Sequence, residues 1–114
     1  MKLQQVRKYA LSLPETNEEP HFDYASFRVR GKIFATVPPS GDFLHIFVEE
    51  AQRAPLIAAQ PDIYETLHWG VKVIGVRVKL APAHAATVNR LLLQSWLRKA
   101  PKKIAASLMQ QRDS

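Results

Sequence analysis

The stretch Phe27-Arg28-Val29-Arg30-Gly31-Lys32-Ile33-Phe34-Ala35-Thr36-Val37 constrains the fold more than any other part of the chain. Phe27 and Val29 alternate with Arg28 and Arg30, and Ile33, Ala35 and Val37 alternate with Phe34 and Thr36. A period of two is the mark of a strand with one buried face. Gly31 lies between the two runs and accepts a positive φ, so the runs form a hairpin. A three-residue loop keeps its apolar face consistent, with Phe27 opposite Ile33 and Arg28 opposite Lys32. A two-residue loop mixes the faces.

A lone hairpin is barely stable in water, so more strands are required. Pro38-Pro39-Ser40-Gly41-Asp42 is a turn. Phe43 to Val48 is apolar on both sides except for His45, which predicts a central strand. Val71 to Leu80 is strand-like, but its alternation falters at Val73-Ile74-Gly75. A slip there predicts a bulge, or a tight turn that splits the run into two strands.

Helices flank these strands. Leu3, Val6, Tyr9, Ala10 and Leu13 make one helical stripe, which Pro14 stops. Glu15 to Asp23, acidic and interrupted by Pro20, reads as a loop. Glu49 to Gln60 has helical composition, with Glu49 and Glu50 suited to the N-terminal dipole. Pro55 must lie near its first turn or bend it. Pro61 to Leu67 reads as a short turn or helix. Pro82 opens the last long helix, whose buried stripe is Val88, Leu91, Leu92, Ser95 and Trp96. Pro101 ends that helix or starts another, with Ile104, Ala105, Leu108 and Met109 on one face, and residues 109–114 are expected to fray. The order α-β-β-β-α-β(β)-α-α predicts an α+β two-layer sandwich, an antiparallel sheet with helices on one face. At 114 residues the whole chain, 1–114, is read as a single domain.

Cysteine is absent, which removes disulfide frameworks, thiolate zinc sites and cysteine nucleophiles. No run approaches the ~18 apolar residues of a membrane span. The N-terminus opens an amphipathic pattern and not the apolar core of a signal peptide. These features predict a soluble cytoplasmic protein with no membrane partner, read as a monomer. No Walker loop, nucleophile elbow or dinucleotide fingerprint is present. His21 and Asp23 are two apart and suit an acid–base pair or a shared metal, but beside Pro20 they are read as shaping a turn. His45 on a strand reads as a sheet residue. His68 and His84 have no metal-ligand spacing. The expectation is therefore no catalytic residue, no metal site, no cofactor and no enzyme.

Charge is distributed unevenly. Met1 to Glu65 carries seven cations and nine acids, whereas Thr66 to Arg112 carries nine cations and no acid. Such asymmetry points to an anionic partner. Arg98 and Lys99 are explained by a helix C-terminus. Lys102 and Lys103 fall in the first turn of the next helix, where the dipole disfavours them and no acid lies within four residues. Trp69, in His68-Trp69-Gly70, either fills the edge of the core at a strand entrance or stacks on a base or ligand.

Four segments taken together resemble the MmcQ/YjbR family: "SLPET" at Ser12–Thr16, "FRVRGKIFAT" at Phe27–Thr36, "HWG" at His68–Gly70 and "WLRKAPKKIAASL" at Trp96–Leu108. The likeness runs from about Val6 to Leu108. The chain departs from it at "ETNEEPHFD", where many members carry a glycine-bearing segment, and at Gly70, where others often have asparagine. The resemblance implies a CyaY-like two-layer sandwich and a DNA-binding role, and brings no catalytic residue with it.

Two functions follow as expectations. The first is nucleic-acid binding, DNA more than RNA, through phosphate contacts from Arg98, Lys99, Lys102 and Lys103, extended by Arg90, Lys72, Arg77 and Lys79, with Trp69 as a stacking residue. Four phosphate contacts on duplex DNA give a slope of log K against log salt of about −3.5, and Lys102→Ala lowers its magnitude by ~1. The second is a protein- or small-ligand-binding domain that uses an aromatic sheet face built from Phe34, Phe43, Phe47 and Trp69. A closed sheet face with a convex basic surface favours the first, and an aromatic concavity favours the second.

Overall fold

The computed structural model describes residues 1–113. Its elements run α1 (Leu3–Ser12), β1 (Thr16–His21), β2 (Tyr24–Val29), β3 (Lys32–Val37), β4 (Phe43–Ile46), α2 (Glu50–Ala59), β5 (Tyr64–Trp69), β6 (Lys72–Lys79), α3 (Ala85–Lys99) and α4 (Lys102–Asp113). The six strands form one sheet in the order β1-β2-β3-β4-β6-β5, every pair antiparallel. The expected α+β sandwich is present, with two strands where the sequence shows none.

The first addition is β1. The acidic segment read as a loop pairs with β2 from Thr16↔Val29 to His21↔Tyr24. Pro20 fits because β1 is an edge strand. The acids are countered by arginines: Glu18 pairs with Arg7 of α1 at 3.0 Å, Glu19 with Arg28 at 3.8 Å, and Glu15 with Arg30. The second addition is β5, where a turn or helix was expected. Consequently β6 is a single strand, and the faltering at Val73–Gly75 is a bulge rather than a turn: Leu67 pairs with Gly75 and His68 with Val73, leaving Ile74 extra.

The β2–β3 hairpin has a two-residue loop, not three. Arg30 (φ 50°) and Gly31 (φ 81°) both occupy the left-handed region, and Val29 pairs with Lys32. The mixing of faces is repaired by a bulge, because Arg28 pairs with Ile33 and Phe27 with Ala35. Phe34 is the extra residue, and both it and Ala35 are fully buried. The Phe34 carbonyl accepts a 2.6 Å hydrogen bond from the buried Ser95 hydroxyl of α3.

Helices α1 and α3 pack over β1, β3 and β4, and α2 over β5 and β6. The core lies between them and one face of the sheet, and includes Phe27, Phe34, Leu44, Ile46, Val76, Leu91 and Trp96. Trp96 is fully buried, and its indole N–H is shared between the Pro14 carbonyl (3.2 Å) and the Thr16 hydroxyl (3.1 Å). These bonds tie α3 to the start of β1. Ile104 and Leu108 of α4 pack at the rim of this core. The last long helix begins at Ala85, after Pro82, and α4 takes in Met109 to Asp113, the segment expected to fray. Ser114 lies outside the described residues.

Candidate binding groove

The face of the sheet turned away from the helices is concave. Alternation places His45 of β4 beside Thr36 of β3 and Arg77 of β6 on this face. The bulges at Phe34 and Ile74 switch the pattern, so Ile33 and Ile74 turn outward to join Phe47 and Leu67. These residues floor a cleft of about 650 Å³.

Its walls are two hairpin tips. Strand directions alternate across the sheet, so the β1–β2 tip and the β5–β6 tip lie at opposite ends and on opposite edges. A twisted sheet curls diagonally opposed corners toward the same face. His21, Phe22, Asp23 and Tyr24 from one tip therefore face the same cleft as His68 and Trp69 from the other. Phe22 is 92% exposed and Trp69 81% exposed, unusual for large apolar side chains. Phe22 is held in a left-handed conformation (φ 58°) that lifts its ring out at the tip.

A second cleft of about 530 Å³ continues the first, sharing Ile33, Phe47, Trp69 and Ile74 with it. Apart from Val48 and Val73, its remaining lining is charged: Lys72, Arg98, Lys99 and Arg53 against Glu49 and Glu50. Arg98 donates to the Phe47 carbonyl at 2.6 Å and pairs with Glu49 at 3.6 Å. Arg53 donates to the Val48 carbonyl at 2.8 Å. Lys72 and Lys99 make no ion pair with a described acid. The groove thus runs from an aromatic end to a cationic end, with Trp69 at the junction.

His45 is half-buried on the groove floor. Loss of water contact pushes its pKa down to about 4, the nearby Arg77 cation adds to the shift, and Glu65 opposes it. The imidazole is neutral at pH 7. Tyr64, under the helices near Thr87 and Arg90, has its pKa raised chiefly by burial.

A family model, YjbR, matches residues 11–98. The chain belongs to the YjbR family. Two uncharacterized proteins, Mycobacterium tuberculosis Rv2570 and Mycobacterium bovis Mb2600, are each 32% identical to this YjbR domain over 73 residues, 63% of the chain. The match covers 57% of each of those relatives, so the chain spans little more than half their length. The crystal structure of Deinococcus radiodurans protein DR2400, a DUF419 domain, superposes with a TM-score of 0.75 at 22% identity, covering 85% of this chain and 77% of that one. That likeness shows a shared fold.

Of the eight cations expected to form one basic surface, this YjbR domain brings Lys72, Arg98 and Lys99 to the groove. The others line neither cleft. Arg77 lies over the Phe43 ring, 3.7 Å from its centroid, and pairs with Glu65 at 3.2 Å. Lys79 shares a small separate hollow with it. Arg90 is exposed on the helical layer, and Lys102 and Lys103 are exposed on the first turn of α4, lining neither cleft. Trp69 is not edge-of-core filler. Phe43 and Phe47 face the open side as expected for a sheet face, but Phe34 does not: its bulge turns it into the core. His21 and Phe22 were missed as groove residues because Glu15 to Asp23 read as a loop, and Tyr24, just past it, carries no periodic signal of its own. The alternation of Thr16, Glu18 and Pro20 against Asn17, Glu19 and His21 is too polar to signal a strand. Among the described residues, no three His, Asp or Glu side chains are grouped to hold a metal ion, and no helix is long and apolar enough to cross a membrane.

Proposed function

We propose that this YjbR domain is a binding module that takes a single-stranded nucleic-acid segment onto the open face of its sheet. The observation that carries the reading is Trp69: a largely exposed indole between an aromatic cleft and a cleft holding Lys72, Arg98 and Lys99. Single strands are bound by this combination, with bases stacked on aromatic rings and cations along the backbone. The groove favours a single strand over a duplex, because rings such as Trp69 and Phe22 stack on bases that are unpaired and splayed out. It also favours binding over chemistry, since its floor is largely hydrocarbon.

Fluorescence anisotropy across a salt series tests this. Single-stranded DNA and RNA should bind more tightly than duplex, with a slope near −2, from ~0.7 per cation on single strands. Trp69→Ala should weaken binding by ~1–3 kcal/mol. Lys72→Ala and Lys99→Ala should each reduce the slope, and Lys102→Ala should leave it unchanged. A preference for duplex with a slope near −3.5 that depends on Lys102 would return the function to the basic exterior. Absence of any single-strand binding at low salt would overturn the proposal and leave the groove to a peptide or small ligand.

A further inference from the structure

A histidine stands where a hydrocarbon fits better. His45 lies on an inner strand of the sheet, on a floor otherwise made by Ile33, Thr36, Phe47, Leu67 and Ile74. Its Nε2 is shielded from solvent and has no hydrogen-bond partner within the chain. Buried polar atoms are paired in the great majority of cases, and leaving one unpaired is destabilising.

The neighbours do not satisfy it. The Tyr24 ring stands 6.1 Å away, tilted, as a side wall. Arg77, next to His45 across the β4–β6 pair, turns its Nη1 to Glu65 and its guanidinium over Phe43, and its own Nε is likewise shielded and without a hydrogen-bond partner. Thr36 flanks His45 from β3. A neutral imidazole offers one N–H donor and one acceptor nitrogen, which suits the uncharged edge of a base and gives no pull on phosphate.

Resting on the single-strand reading above, we infer that a nucleobase inserted into the aromatic cleft turns the His45 ring, so that its shielded, unpartnered Nε2 meets the hydrogen-bonding edge of the base. The groove then selects among bases, beyond stacking on whichever base is offered. Trp69, Tyr24 and Phe22 wall the inserted ring, and His45 meets it from the floor, with His21 and His68 at the walls.

The test uses short single strands that differ at one central nucleotide, including an abasic one. The wild-type protein should prefer one base by about ten-fold, the scale of one buried hydrogen bond gained or lost. His45→Phe keeps a ring of similar size without either nitrogen. It should flatten that preference, leaving the four bases bound alike. Independently of any variant, long-range ¹H–¹⁵N spectra of the wild type should show His45 Nε2 shifting with the nucleoside monophosphate of the preferred base and not with the others. Equal binding of all four bases, a ranking retained by His45→Phe, or an unmoved Nε2 would each overturn the inference. If single strands bind and Trp69→Ala weakens them while His45→Phe keeps the ranking, the base-reading role falls and the groove reading stands. If no single strand binds, both fall.

Discussion

At the scale of single residues, two positions set hard limits. Gly75 lies where β6 passes under the end of β4, and a Cβ there would stand 2.1 Å from the Ile46 carbonyl oxygen. Backbone cannot yield as a flexible side chain does, so Gly75→Ala should cost more than ~2 kcal/mol, read as a fall in the urea midpoint. His45 makes stability depend on pH. Unfolded, it takes up a proton near its ordinary value of 6.5; folded, only near 4. The unfolded chain binds more protons in that window, so stability present above about 6.5 is lost as pH falls toward 4. At ~1.4 kcal/mol per pKa unit the full shift is about 3 kcal/mol, and solvent reaching the half-buried ring reduces it to about 1–2 kcal/mol. His45→Gln should remove most of this acid dependence, measured as the difference between urea midpoints at pH 7 and pH 4.5.

At the scale of elements, local sequence and tertiary context conflict in two places. Helix α2 holds Pro55 as its sixth residue, past the turn where a missing N–H is harmless, and Pro55 is exposed. The helix keeps no fully buried residue, so little packing offsets this. Pro55→Ala should raise stability by ~1–3 kcal/mol, seen as a higher Tm. In β3 the conflict is resolved by the bulge at Phe34, whose carbonyl is held by Ser95. Ser95→Ala should cost ~1–2 kcal/mol and increase hydrogen exchange at the β3–β4 pairing, because the carbonyl is left under-satisfied in the core.

At the scale of the whole molecule, the two tryptophans report on different layers. Trp96 is fully buried and Trp69 is at the groove mouth. Collisional quenching by iodide should therefore act almost entirely on Trp69, and a groove ligand should protect it. Quenching unchanged by saturating single-stranded oligonucleotide would place the ligand elsewhere. The cations behind the net charge of +6 do not all gather at one cleft. The C-terminal cations spread over the groove end, the small hollow by Phe43, the helical layer and α4; Glu15, Glu18 and Glu19 pair with Arg30, Arg7 and Arg28, and Glu65 and Glu49 with Arg77 and Arg98.

The hydrophobic period alone determined the central hairpin, β4 as an inner strand, the α1 and α3 stripes and the α+β class, since burial of one face is written in each segment's own side chains. It did not reveal β1 or β5. An edge strand gains its ladder from a neighbour and needs little hydrocarbon of its own, so polar segments such as Thr16–His21 carry no period-two signal. Only the tertiary structure decided the groove. Phe22 and Trp69 are separated by most of the sheet in sequence and lie on opposite edges in topology. The twist of six paired strands is what turns both toward one face, with His45 between them.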